Sequence, residues 1–498
     1  MNTIRDITKK PSPPRPVRVL QFGEGNFLRA FADWMIDIAN EKGVYDGSVV
    51  IVQPIREPLN PAFAEQDSLY TVVLRGKENG QVIDDARRIT SVHEVLSVYE
   101  NFDEVLAYAS CETLETVISN TTEAGIVLDE SDRFDGNPPS TYPGKLTRFL
   151  YERWRVFDGD PARGLVIFPV ELIEDNGGKL RSCVLRLAEV WKLDDGFRNW
   201  LETACMFCST LVDRIVTGYP KKEGEADELC RRLGYSDAIP DLCEPFALWV
   251  IEAPDTGRAR TVLPLDRAGL PVIFTDDQRP YRERKVRILN GAHTSFVPAA
   301  FLTGQDIVRD CMADAGIRAF IDTCIYREIL PTLTLPAEEV AAFAASVCER
   351  FENPFIDHAL ISICLNSVSK WKARVLPSLI DSLAANGKLP PCLTMSFASL
   401  CAFYASGRMT GDGFTGTRVC GGKTETYRIS DDEAVLRFFE ENRSADDLPV
   451  RFAAHADFWG RDLTELPGFA EEITRRYESI RRDGVRAAMA QAVTDSAR

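Results

Sequence analysis

Along the first 275 residues, short apolar runs alternate with stretches whose apolar residues recur every three or four positions. "VRVLQF" closes on Gly23 and reads as a buried strand. "NFLRAFADWMIDIANEKG" then sets Phe27, Phe31, Trp34 and Ile38 at helical spacing, with Gly43 as a stop. "SVVIVQPI" is a second buried-type strand, and "YTVVLRG" with "QVIDDARRITSV" suggests an antiparallel insertion. "FDEVLAYAS" is helical, while "LETVISNTTEAGI" and "PARGLVIFPVELIEDNGG" each run from a strand into a polar loop. This alternation predicts a mostly parallel sheet with helices on its faces. Past residue 275 helical spacing dominates, in "GIRAFIDTCIYREILPTL", "AEEVAAFAASVCERF", "DDEAVLRFFEEN" and "FAEEITRRYESIRRDGVRAAMAQAV". The expected organisation is a polar, proline-rich arm over 1–16, an α/β domain over 17–275 and a largely helical domain over 276–498.

Composition changes this picture little, and charge narrows it. With 45% hydrophobic and 27% charged residues the balance is that of a globular protein. The formal net charge of −17 argues against nucleic-acid binding and against anionic membranes. It leaves room for an anionic small molecule wherever basic residues cluster locally. The opening "MNTIRDITKKPSPPRP" has no apolar signal core, and no apolar run is long enough to cross a bilayer. Thirteen scattered cysteines, an odd number, speak against a disulfide framework. A soluble cytoplasmic protein with reduced thiols is expected, its oligomeric state open. The one CxxC, Cys205 to Cys208, lacks a second ligand pair and reads as buried thiols rather than a metal site.

Two stretches carry candidate chemistry. "VLQFGEGNFLRAF" places Gly23 and Gly25 between the first strand and the first helix, as a dinucleotide-binding turn does. The third glycine of that fingerprint would fall at Leu28 and is missing, so a plain strand–turn–helix junction fits equally well. The second strand ends on Gln53 rather than an acid, with Arg56 beyond, which leaves NAD and NADP both open. "KVRILNGAHTSFV" is ambiguous in a different way. Asn290-Gly291 is a strong hairpin signal. As a helix, at about 100° per residue, the same stretch puts Lys285 in an apolar stripe with Asn290 and His293 to one side. A lysine held there loses hydration, and its pKa falls toward the range useful to a general base. Periodicity does not choose between them.

Taken together, these segments resemble the mannitol dehydrogenase family of polyol-specific long-chain dehydrogenases. "KVRILNGAHT" resembles its Lys-(four)-Asn-(two)-His motif, and "FGEGNFLRAF" its cofactor turn, which has no third glycine. "NTTEAGI" is similar to its Thr-Glu-x-Gly-Tyr loop with Ile126 for the tyrosine, and "LVDRIVTGYP" to its Val-Asp-Arg-Ile signature. The resemblance spans nearly the whole chain and tips 285–297 to the helix. It implies the α/β class: an N-terminal Rossmann-type doubly wound sheet with insertions, then a mainly α-helical C-terminal domain. It also implies metal-independent, reversible hydride transfer between NAD(H) and a secondary alcohol. On this resemblance Lys285 is the general acid/base, Asn290 a donor to the reacting oxygen, and His293 a partner of the substrate hydroxyls. Asp213 becomes a substrate contact, and the cofactor lies on Phe22, Gly23, Glu24, Gly25, Asn26, Phe27, Arg29, Gln53, Asn120, Thr121, Thr122 and Glu123.

"VELIEDNG" and "LNSVSKWKARVLPSL" are similar to the branch of the family that acts on sugar acids. Mannitol and fructuronate members typically carry Cys-Asp-Asn-Leu-Pro where this chain has "VELIE". Their oxyanion-binding asparagine aligns with Leu172, and Asn176 is the candidate substitute. A carboxylate-bearing substrate needs a cation in the site. Lys370 or Arg374 is the expected partner, chosen over Arg282, Arg284 and Arg287. The alternatives are another substrate of the same family or an epimerase that retains its NAD.

Overall fold

The computed structural model describes residues 1–122 and 124–498 and divides into two compact units, Met1–Gly76 with Val82–Gln278, and Lys77–Gln81 with Arg279–Arg498. In the first unit, Val17–Phe22 (β1), Ser48–Gln53 (β2), Val92–Ser97 (β3), Thr116–Ser119 (β4), Val166–Pro169 (β5) and Met206–Phe207 (β6) form one sheet in the order β3-β2-β1-β4-β5-β6. Every pairing in it is parallel. This is the doubly wound order of dinucleotide-binding sheets, whose ligand crevice opens where the winding reverses, here between β1 and β4. Val19, Ile51, Ile118 and Phe168 enter the core on one face, and Leu20, Phe22, Val50, Val52, Val117 and Ile167 that on the other. Burial on both faces is why these strands read as unbroken apolar runs.

Two smaller sheets complete this unit. Tyr70–Glu78 and Gln81–Ile89 are joined by Asn79-Gly80, both at positive φ, a link short enough only for an antiparallel pair. They continue through Asp241–Cys243 to Val216–Gly218. Leu248–Glu252 pairs antiparallel with Ser209–Asp213 and parallel with Val272–Thr275. The N-terminal arm is anchored, because Ile4 is fully buried beside Leu69 and Tyr235.

The second unit is built on two helices that are apolar almost all round, Gly291–Leu302 and Pro391–Ala405, packed on each other. A helix buried on every side has no polar face to display. Phe469–Asp483 packs on the second of them, and Phe397 gathers Trp371, Phe452, Trp459 and Phe469 around its ring. The sequence reading missed one element here. Arg408–Thr410, Gly413–Cys420 and Lys423–Arg428 form an antiparallel sheet, in a segment whose glycines and polar residues mask the alternation. Among the described residues, no helix is long and apolar enough to cross a membrane.

Candidate functional site

The crevice end of β1 carries the glycine turn. Gly23 has φ +128°, and a Cβ there would stand 2.9 Å from the Asn120 carbonyl oxygen, so only glycine fits between the ends of β1 and β4. Its N–H donates to Val52 O at 2.9 Å, tying the turn to β2. Gly25 differs: it is exposed, and nothing lies within 4 Å of where its Cβ would be. A dinucleotide pyrophosphate needs such open backbone at the start of a helix. Leu28, at the place of the third glycine, is buried against Gly23, its Cδ1 3.2 Å from that Cβ position. The helix then widens into a π segment over Arg29–Asp33 before resuming as Trp34–Glu41.

Two residues expected on the cofactor point the other way. Phe22 is fully buried, its ring centroid 5.2 Å from that of Tyr142, so only its backbone reaches the turn. Arg29 is buried too. Its guanidinium donates to Ile239 O at 2.9 Å and Asn26 Oδ1 at 2.5 Å and lies 3.7 Å from Asp241. It braces the turn from beneath, next to Asp33, which accepts from the Tyr70 hydroxyl at 2.9 Å. Burial pushes the Asp33 and Asp241 carboxyls up to about 7. Phe27 stacks on Phe31 at 5.0 Å, an apolar contact.

Across the crevice, Asn120 N–H donates to Phe22 O at 3.0 Å, and Thr122 sits at φ +74°, a costly conformation for a β-branched residue. Glu123 lies outside the described residues. Sequence reasoning missed Glu171, which accepts from Thr121 N and Oγ1, each at 3.0 Å, and from Ser119 Oγ at 3.2 Å, fixing this loop on β5. Burial raises its pKa against those donors. Leu172 is 64% exposed at the same strand end. Asn176 does not replace the asparagine missing there. It is fully buried, its amide nitrogen donating to Pro169 O, Glu171 O and Thr210 O and its oxygen accepting from Gly177 N and Thr210 N. That leaves no hydrogen-bonding capacity for a sugar. Asp213 is buried at the end of its strand, and Arg214 beside it donates to Glu244 O and Ala30 O.

In the second unit Lys285–Asn290 is helical, not a hairpin, and it is a π segment leading into Gly291–Leu302. The wider π turn breaks the fixed angle per residue, so the helical-wheel placement of Lys285 does not carry across it. Single-turn π segments are frequent at functional sites. Lys285 and Asn290 are half-buried. Gly291 has a clear reason to be glycine: a Cβ would lie 2.9 Å from the Arg374 carbonyl oxygen. The helix Ser367–Arg374 therefore ends directly against the lysine segment. Its start is held by Asp431, which accepts from Val368 N–H at 3.2 Å, and its middle by Trp371 Nε1–H donating to Ser396 Oγ at 2.9 Å.

This packing gathers cations. His293 stacks on Phe351 at 4.1 Å and meets His358 edge-on at 5.4 Å. Its Nε2 is enclosed and has no hydrogen-bond partner among the described residues. Burial, then the charges of His358, Arg350, Arg374 and Lys370, hold its pKa well below the usual value. Lys370 donates to Ile363 O at 2.9 Å, and its pKa is lowered by burial and by Arg374. Arg374, half-buried with its pKa lowered by burial, makes no side-chain hydrogen bond or ion pair among the described residues. Arg284 and Arg287, by contrast, are matched to Glu339 and Asp381 at 2.5 Å each. His358 escaped the sequence reading, although histidine is scarce enough, four in the chain, to have flagged it. Cys205 and Cys208 are buried thiols pushed up to about 12.

Residues 17–264 match the mannitol dehydrogenase Rossmann domain and residues 277–481 the mannitol dehydrogenase C-terminal domain. The chain is 44% identical over 488 residues to the altronate oxidoreductase of Escherichia coli K12, covering 96% of this chain and 97% of that one. Among solved structures it is similar to a substrate-free D-sorbitol dehydrogenase (TM-score 0.77, 22% identity, 98% of this chain and 100% of that one). It is also similar to Pseudomonas fluorescens mannitol 2-dehydrogenase in ternary complex with NAD and D-mannitol (TM-score 0.64, 22% identity, 96% and 95% covered).

Proposed function

Because this chain belongs to the mannitol dehydrogenase family, we propose that it interconverts a ketose acid and its polyol acid with NAD(H), the pair being D-tagaturonate and D-altronate. One observation carries the choice of an acid over a neutral sugar. In a chain of net charge −17, Arg374 is a half-buried guanidinium with no partner among the described residues, beside Lys370 and at the end of the lysine segment. A desolvated cation without a counter-ion is unfavourable unless a ligand supplies the anion. The similarity to altronate oxidoreductases over almost the full chain supports the same substrate class.

The residues divide the work. The Gly23–Gly25 turn and the Asn120–Thr122 loop hold the dinucleotide at the switch point. Bound NADH supplies the hydride. Lys285 gives its proton to the substrate carbonyl oxygen during reduction and takes it back during oxidation. The Asn290 amide, which makes no other side-chain hydrogen bond among the described residues, donates to that oxygen as negative charge develops. His293, kept neutral, leaves the positive charge that attracts the carboxylate to Lys370 and Arg374. Purified protein offered tagaturonate, fructuronate, fructose or mannitol, with NAD(H) or NADP(H), should turn over a ketose acid with net loss or gain of nicotinamide absorbance. Turnover of the neutral sugars alone defeats the sugar-acid assignment. Product without any net absorbance change points to an NAD-retaining epimerase.

A further inference from the structure

The C-terminal end of the second strand in a dinucleotide-binding sheet normally presents an acid to the adenosine ribose, and that acid favours NAD over NADP. Here the position is Gln53, 4% exposed, with Oε1 buried and unpartnered and Nε2 donating to Glu24 Oε1 at 3.2 Å. Flipping the amide would oppose two acceptors, so its orientation is set. Glu24 lies in the turn itself, between the glycine squeezed against Asn120 and the glycine left open, and it is half-exposed. The Gly23 N–H bond to Val52 O holds this turn over the end of β2. The carboxylate therefore stands where the missing strand acid would stand, although it comes from the glycine turn. Its Oε2 makes no hydrogen bond among the described residues.

We propose that Glu24, held by Gln53, is the residue that selects the dinucleotide, accepting hydrogen bonds from the adenosine ribose hydroxyls and repelling a 2′-phosphate. This rests on the oxidoreductase reading above and names the determinant of its cofactor. Opposite charges lie nearby, and they make the proposal a contest. The exposed Arg56 guanidinium stands 5.0 Å from the centre of the Tyr99 ring, and Lys145 Nζ is 3.3 Å from the Tyr99 hydroxyl. Alone, those cations would welcome a 2′-phosphate. Glu24 bonds directly to the strand-end residue, so its carboxylate meets a 2′-phosphate there at first hand.

The test is direct binding, with no sugar present. Fluorescence titration of the full chain with NADH and with NADPH should show NADH binding at least about tenfold tighter. Glu24→Gln keeps the shape and the bond to Gln53 but removes the charge, and it should narrow that ratio about tenfold or more, mainly by tightening NADPH. Equal affinities in the unsubstituted protein overturn the proposal, as does an unchanged ratio in Glu24→Gln. Should neither dinucleotide bind, the oxidoreductase reading itself fails, and the proposal falls with it. Where the variant folds poorly, equal affinities in the unsubstituted protein still overturn the proposal.

Discussion

Substituting Lys285 by alanine removes the proposed proton donor and changes no residue of the glycine turn, which belongs to the first unit. Turnover should fall by about 10²- to 10⁴-fold, the range of general acid–base catalysis, with NADH affinity measured by fluorescence nearly unchanged. A variant that keeps its kcat contradicts the role. Arg374→Ala should raise KM for the ketose acid about tenfold or more, the scale of a hydrogen bond to a charged group, and leave KM for a neutral ketose unmoved; equal effects on both would remove Arg374 from carboxylate recognition. At this scale the sequence was informative about residue types and uninformative about direction. Arg29 and Asn176 carry the right chemistry, yet one faces Asp241 and the other is sealed among backbone carbonyls. Which way a side chain points is set by tertiary packing, which no local pattern encodes.

Among the elements, the segment 285–302 shows why local reasoning stalled. Asn-Gly suits a hairpin and disagrees with the outcome, whereas the helical reading holds even though the π turn spoils the wheel placement of Lys285. In the fold the segment packs against a residue 83 positions away in the chain, Gly291 against Arg374. Gly291→Ala would remove a poor helix former and should stabilise an isolated helix by about 1 kcal/mol. In the protein the new methyl meets a backbone oxygen at 2.9 Å, and overpacking of this kind costs about 1–3 kcal/mol. The expected result is a lowered Tm together with a raised KM for the sugar acid, since Arg374 must move. A variant as stable and as tight as the parent would mean that the two helices yield freely there. The strands of the doubly wound sheet were legible because burial on both faces writes itself as apolar runs. The sheet spanning Arg408–Arg428 was not, since much of it is exposed and polar.

For the whole molecule, pH acts on stability through the buried acids under the turn. Asp33 is faced by Tyr70, Gln21, Arg29 and Asp241, and its carboxyl titrates at about 7 in the fold instead of its ordinary 3.8. Between those values the folded chain holds a proton that the unfolded chain has released, so stability falls as pH rises through that window. Asp33→Asn retains an acceptor for the Tyr70 hydroxyl and removes the titration. Its Tm relative to the parent should therefore climb between pH 5 and pH 8, and a difference that stays flat with pH would show that Asp33 is not the titrating group.

The second unit has a consequence for anyone dissecting the protein. It takes in Lys77–Gln81 from a hairpin near the start of the chain, where Asn79 and Gly80 N–H groups donate to Glu349 at 3.0 and 2.6 Å and Lys77 pairs with Glu352. It is therefore not one continuous stretch of polypeptide, and a gene fragment beginning at residue 279 encodes it with a piece absent. During synthesis the hairpin tip emerges about 270 residues before the glutamates that hold it. Its two backbone donors wait in solvent until Glu349 is made, so completing the second unit calls on one of the earliest parts of the chain.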